Sequence, residues 1–149
     1  MPLTKPQLEQ DLKTAMLARD QIKMDTLRML KSAIKYLEIE KGKDADEAML
    51  LEVVAREVKK RREAAESFKQ GGKAEAAAKE ETEAAILVAY LPTQLSEAEV
   101  QKLVTAAVAK SGAKVPSDMG KVMGILMPQV KGKADGALVS KLVKAALGA

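Results

Sequence analysis

The sequence predicts an all-α protein. Three observations carry that expectation. Ala, Leu, Lys, Glu and Met, all strong helix formers, dominate the composition. Gly and Pro gather at the breaks between segments of apolar periodicity. No stretch alternates apolar and polar side chains as a half-buried strand does, and no internal repeat is visible.

The elements follow in order. Thr4 opens a first helix through a T-x-x-Q capping box to Gln7, with Leu8, Leu12 and Met16 at helical spacing. A second helix runs from about Asp20 to Lys41. Leu27, Leu30, Ile34 and Leu37 form its apolar face, and Gly42 ends it. Asp44 and Glu47 make the next capping box. The third helix then runs to about Gln70 through Met49, Val53, Val54, Val58, Ala65 and Phe68, and Gly71-Gly72 stops it. The fourth, KAEAAAKEETEAAILVAYLP, ends at Pro92, with an exposed polar first half and a core-forming second half from Ile86 to Leu91. Proline disfavours helix at the residue before it, so Leu91 to Ser96 reads as a hinge. Ser96-x-x-Glu99 restarts the chain with another capping box. Three short helices are expected at about 97–110, 118–129 and 135–147. The expected domains are a four-helix subdomain over 1–91 and a small basic three-helix subdomain over 92–149.

Charge divides unevenly at the hinge. Residues 1–95 hold 17 basic and 17 acidic side chains, whereas residues 96–149 hold eight Lys against Glu97, Glu99, Asp118 and Asp135. The whole excess of +4 therefore sits on the small unit, which points to a polyanionic partner there.

Composition also excludes chemistry. With no Cys and no His, the chain has no thiol nucleophile, imidazole base or zinc site of the usual ligands. Three aromatics, Tyr36, Phe68 and Tyr90, are too few for a base-stacking surface. The acids Glu38 and Glu40, and Glu80, Glu81 and Glu83, lack any companion phosphate loop or metal spacing, so they read as solvated surface. Neither a metal nor a cofactor is expected. The longest apolar run, Ala84 to Leu91, is far short of the ~20 residues of a membrane span. The opening MPLTKPQLEQDL carries acids where a signal peptide is apolar. The resulting expectation is a soluble, cytoplasmic chain with no membrane partner.

Several constellations stay open between two meanings. Lys59-Lys60-Arg61-Arg62 is the densest basic cluster and a possible secondary basic patch. Glu57 and Glu66, each one turn away, make a solvated, ion-paired helix face the commoner reading. Gly120 and Gly124 lie one turn apart on one helical face. Glycine inside a helix costs about 1 kcal/mol against alanine, so this pair implies close approach, by a neighbouring helix or by a ligand. Lys131-Gly132-Lys133 leads into Asp135, a candidate N-cap. Lysines beside the free N–H groups of a helix start suit an anion, although an ordinary turn looks the same. Met119, Met123 and Met127 recur at helical spacing, as core or as an adaptable partner surface.

Four segments together resemble the GatB/YqeY family: TLRMLKSAIKYLEIEKGK (26–43), VKKRREAAESFKQGG (58–72), EAAILVAYLPTQLSEAEV (83–100) and DMGKVMGILMPQVKGKADGALVSKLV (118–143). The free-standing YqeY-like members are similar to the tail of the GatB subunit of glutamine-dependent Asp-tRNA/Glu-tRNA amidotransferase. The resemblance spans almost the whole chain. It implies an all-α fold with a small C-terminal helical domain, and it implies a link to tRNA. The matched positions Gly120, Lys121, Gly124, Lys131, Gly132, Lys133 and Gly136 would contact RNA by shape, since A-form RNA is read largely through phosphates and 2′-hydroxyls. With no Asn in the chain, base-edge reading is disfavoured. A label of carbon–nitrogen ligase with glutamine as amido donor would be inherited from the larger enzyme, because nothing in this chain activates an ester or generates ammonia. The expected function is thus a non-catalytic, tRNA-associated module. The alternative is a protein-interaction module docking on a synthetase-like partner.

Overall fold

The computed structural model describes residues 3–148. Met1, Pro2 and Ala149, at the ends of the expected domains and of the MPLTKPQLEQDL opening, lie outside the described residues. The described residues form seven α-helices, one short 3-10 turn and no strand, which bears out the all-α class. The helices are α1 (Lys5–Leu17), α2 (Gln21–Lys41), α3 (Glu47–Gln70), α4 (Ala74–Val88), α5 (Glu97–Ser111), α6 (Met119–Val130) and α7 (Gly136–Ala146), with the 3-10 turn at Pro116–Asp118. The chain divides into two compact units, Met1–Pro92 and Thr93–Ala149.

Helix starts are set by side-chain oxygens that accept the first free N–H groups. Asp20 accepts from the Lys23 N–H (3.1 Å) and Ser96 from that of Glu99 (3.2 Å). Glu99 reaches back to the Ser96 N–H (2.7 Å), which completes that capping box. Two other expected boxes differ. Thr4 accepts from the Gln7 N–H (3.1 Å), but the Gln7 amide turns forward to Asp11 (2.8 Å) instead of back to Thr4. The cap of α3 is Asp46, not Asp44: its carboxylate accepts the Met49 N–H at 2.9 Å. A cap two residues later lets Met49 and Leu50 turn inward together. Gly42 ends α2 at φ +68°, a conformation that costs glycine nothing. Helix α4 stops at Val88 rather than running to Pro92, and Tyr90 and Leu91 reach the core from a turn.

The first unit packs the inner faces of α1 to α4 around Leu27, Leu30, Val54 and Leu87, all essentially inaccessible to water. Its edge is closed by Tyr90, whose hydroxyl donates to Asp11 at 2.5 Å. Burial, and then the neighbouring Asp11 carboxylate, push the Tyr90 phenol far above its ordinary value, so it stays a neutral donor. The second unit packs α5, α6 and α7 around a core made mainly of valine: Val100, Val104, Val122, Val130, Val139 and Val143, with Leu126 and Leu147.

Glu38 was expected on the solvated surface, but it is buried beside the α2–α3 turn. It pairs with Lys5 and accepts the Ala45 N–H at 2.8 Å. The Lys5 ammonium first, and the Ala45 amide second, hold its carboxyl below the ordinary carboxylate range. In the unfolded chain Glu38 titrates at the ordinary value. The bonds therefore contribute fully above that value and are lost as pH falls through the lowered folded value. Glu38→Gln is expected to flatten the acid loss of stability, read as the urea midpoint between about pH 5 and about pH 2. An unchanged slope in that window would show that Glu38 adds nothing to acid stability.

Candidate nucleic-acid interface

The basic C-terminal unit is shaped by its helix starts. Of its four acids, three are occupied there. Glu99 belongs to the α5 capping box. Asp118 accepts the Lys114 N–H (3.1 Å) and lies 3.5 Å from that of Val115. Those amides, with Lys121 at 3.7 Å, hold the Asp118 carboxyl below its usual range. Asp135 caps α7 by accepting from the Ala137 N–H at 3.0 Å, as its position implied. This cap has a consequence for the anion site imagined at that helix start. Asp135 already supplies the negative group that the free N–H groups favour, so a second anion would meet a carboxylate there.

All eight lysines of this unit are exposed. Among the described residues only Lys121 has a carboxylate within 4.0 Å, from Asp118. The first unit differs: Lys5, Lys31, Lys43, Arg56, Lys60 and Lys69, among others, each meet an acid. The asymmetry in net charge is thus reinforced by an asymmetry in pairing.

The Lys131-Gly132-Lys133 turn is built rather than loose. Gly132 sits at φ +75°, which glycine alone adopts without strain. The Lys133 N–H donates to the Val130 carbonyl at 2.8 Å. The Gln94 side-chain amide donates to the Gly132 carbonyl, and the Leu95 N–H donates to the Lys133 carbonyl, both at 2.8 Å. The two sequence stretches YLPTQLS and KGKADG, far apart in the chain, are therefore joined by two hydrogen bonds. Sequence reasoning missed Gln94. Its only signal was its place in a motif that otherwise reads as a hinge.

The glycines of α6 face outward. Gly120, Gly124 and Gly136 are exposed, and a Cβ placed on any of them would meet no atom within 4 Å. Packing by a neighbouring helix of this unit, one of the two meanings open for Gly120 and Gly124, is not the reason they are glycine. Helix α6 also contains Pro128. Proline has no N–H to give the carbonyl four residues back, which is that of Gly124. An exposed acceptor without its helical donor thus lies beside bare backbone. The methionine stripe is split: Met119 and Met123 pack against the valine core, and Met127 is 38% exposed.

The second basic cluster does not survive as a four-member surface. Lys59, Lys60 and Arg62 are exposed, but Arg61 is only 4% accessible. Its Nη1 donates to Glu57 Oε2 at 2.8 Å, and its Nε lies 3.3 Å from Glu83 Oε2, a charge contact without hydrogen-bond alignment. Its Nη2 donates to Met29 Sδ at 3.5 Å. Glu83, expected in solvent, is buried as the second carboxylate of this cluster. The expectation failed because the pairing with Glu83 crosses helices, from α3 to α4. The register held a signal, however. Arg61 follows Val58 by three residues and precedes Ala65 by four, which places it on the buried stripe of α3.

Among the described residues, no group of three or more His, Cys, Asp or Glu gathers where it could hold a metal ion. Among the same residues, no helix is long and apolar enough to cross a membrane.

Comparison with known proteins agrees with the sequence resemblance. The family model for Yqey-like protein matches residues 5–147. Three fungal relatives carry the name altered inheritance of mitochondria protein 41, mitochondrial. That of Saccharomyces cerevisiae is 31% identical over 147 residues, covering 92% of this chain and 80% of its own length. That of Lachancea thermotolerans is 37% identical over 102 residues, covering 66% of this chain and 54% of its own length. That of Eremothecium gossypii is 38% identical over 85 residues, covering 56% and 46%. The chain thus spans about half the length of two of these relatives. They correct the expectation of a cytoplasmic location, because all three are named as mitochondrial proteins. The composition misled because it does not discriminate: lack of Cys suits any reducing compartment equally well.

Proposed function

The chain belongs to the Yqey-like protein family, and from that premise we propose that it works as a non-catalytic, tRNA-associated helical module. In this reading the four helices of the first unit form a supporting subdomain, and the three of the second carry the RNA contact. One observation supports the assignment above others. The second unit holds eight exposed lysines, seven of them without a carboxylate partner among the described residues, and they share a unit with outward-facing helix glycines.

The chemistry suits folded RNA. Lys131 and Lys133 flank a turn held by Gln94 and Leu95, so their backbone is positioned before any ligand arrives. Phosphates then pair with the ammonium groups. The bare backbone at Gly120, Gly124 and Gly136 lets a sugar edge approach, and the Gly124 carbonyl accepts from a 2′-hydroxyl. Lys121 is partly committed to Asp118 and contributes less. A net charge of +4 neutralises about three or four phosphates, so affinity is modest, on the order of 10⁻⁴–10⁻⁶ M at physiological salt.

The test is a salt series with tRNA. The logarithm of affinity is expected to fall with the logarithm of salt at a slope of about −3. Lys131→Ala/Lys133→Ala is expected to weaken binding and flatten that slope by about 2. Gly124→Ala separates binding from folding: it stabilises the helix by up to about 1 kcal/mol, yet weakens RNA binding by filling the open face. Affinity too weak to measure at about 100 μM in low salt, or a double variant that binds like the parent, would remove the physical basis of the proposal.

A further inference from the structure

Met29 of α2 stands with Tyr36 in an open groove between α2 and α3, and it is 54% exposed. From the inner side its sulfur is held by a buried group. Arg61 Nη2 donates to Met29 Sδ at 3.5 Å, and Arg61 is only 4% accessible. Among the described residues, this is the one methionine sulfur that a guanidinium reaches. One sulfur lone pair is thus engaged from below, and the other faces the groove.

Arg61 is short of good acceptors. Nη1 has the Glu57 carboxylate at 2.8 Å, but Nε is buried without an aligned hydrogen bond, and Nη2 is left with a thioether. A thioether sulfur is a weak acceptor, and a buried donor that is poorly matched costs stability. A sulfoxide oxygen at the same place is polar and accepts far better. The unbranched Met29 side chain can turn to present it. The groove encloses about 460 Å³, so one added oxygen has room.

We propose that Met29 is a site of two-electron oxidation by peroxide, and that Arg61 captures the sulfoxide and so keeps the oxidised chain folded. The outward lone pair of Sδ attacks one oxygen of hydrogen peroxide. An S–O bond forms and the O–O bond breaks. The thioether is oxidised by two electrons and the peroxide is reduced. The proton on the transferred oxygen passes to the departing hydroxide, which leaves as water. The side chain then turns its new oxygen towards Arg61 Nη2, which exchanges a weak acceptor for a strong one. The same oxidation inside an apolar core is disruptive, because no donor waits for the oxygen there. The site belongs to the first unit, and its use does not depend on the RNA reading of the second.

The experiment treats the purified full chain with hydrogen peroxide and follows the methionine peptides by mass spectrometry after digestion. Met29 is expected to oxidise before buried Met49. Its peptide carries one sulfoxide epimer in about fivefold excess or more, since attack on the inward lone pair must first break a hydrogen bond to a charged donor. Met16, which is 50% exposed, gives both epimers in near-equal amounts. In Glu57→Leu/Arg61→Met/Glu83→Leu the epimer excess at Met29 is lost. In a Met16→Leu/Met127→Leu chain, oxidation mapped to Met29 leaves the urea midpoint unchanged or raises it. Met29→Gln, which offers an amide oxygen in place of the sulfoxide, also keeps the midpoint, whereas Met29→Leu lowers it. Equal epimers at Met29, an excess that persists without Arg61, or a midpoint that falls on oxidation of Met29 each overturn the proposal.

Discussion

Arg61→Ala is expected to destabilise the first unit by about 3–5 kcal/mol, the usual result of removing one partner from a buried ion cluster. Arg61 is the buried cation shared by Glu57 and Glu83, and all three side chains are buried, while Glu57 also meets the exposed Lys60 at 3.3 Å. Their desolvation is tolerable because the guanidinium meets both carboxylates. Truncation leaves buried Glu83 without its cation and Glu57 with only the exposed Lys60, and it opens space beside Met29. Loss of this size is a large part of the stability of a domain of this length. Arg61→Lys is not a mild change either, since a single ammonium cannot span the positions that Nη1, Nη2 and Nε occupy. The triple change Glu57→Leu/Arg61→Met/Glu83→Leu is expected to recover most of the stability, because well-packed apolar groups often match a buried ion cluster. Urea unfolding followed by circular dichroism measures all three variants. An Arg61→Ala midpoint close to the parent's would mean that water enters the cluster and the carboxylates are not stranded.

Leu126→Ala is expected to cost about 2–5 kcal/mol, and the loss should be confined to α5, α6 and α7. Leu126 is fully buried (0% accessible) and is the largest such side chain in a core built mainly from valine. A unit of this size holds roughly 3–9 kcal/mol in all, on the usual scale per residue. Its neighbours are β-branched and stiff at χ1, so they collapse poorly into the vacated volume. Amide hydrogen exchange provides the measurement. Protection should fall across residues 97–146 while Leu27, Leu30 and Leu87 keep theirs. A uniform fall through the chain would show that the two units unfold as one.

Much of this protein is legible along the chain, because the deciding physics is local. The apolar stripes of α2 and α3, the Ser96–Glu99 cap and the Asp135 cap each depend on residues within one or two turns. The charge imbalance is likewise arithmetic on the sequence. Local rules erred where two oxygens compete for the same N–H groups, as when Asp46 rather than Asp44 caps α3. Candidate site residues were legible as types and motifs, but their surroundings were not.

The sequence by itself determined the helical class, most helix ends, the basic character of the C-terminal unit and the family. Tertiary structure decided which groups water reaches. It buried Arg61, Glu38 and Glu83, and it turned Gly120 and Gly124 outward. It tied Gln94 and Leu95 to the lysine turn and left Tyr36 and Met29 uncovered in one groove. The physical reason is range. Capping and periodicity act over a few residues, whereas burial and cross-helix pairing depend on neighbours that only folding brings together.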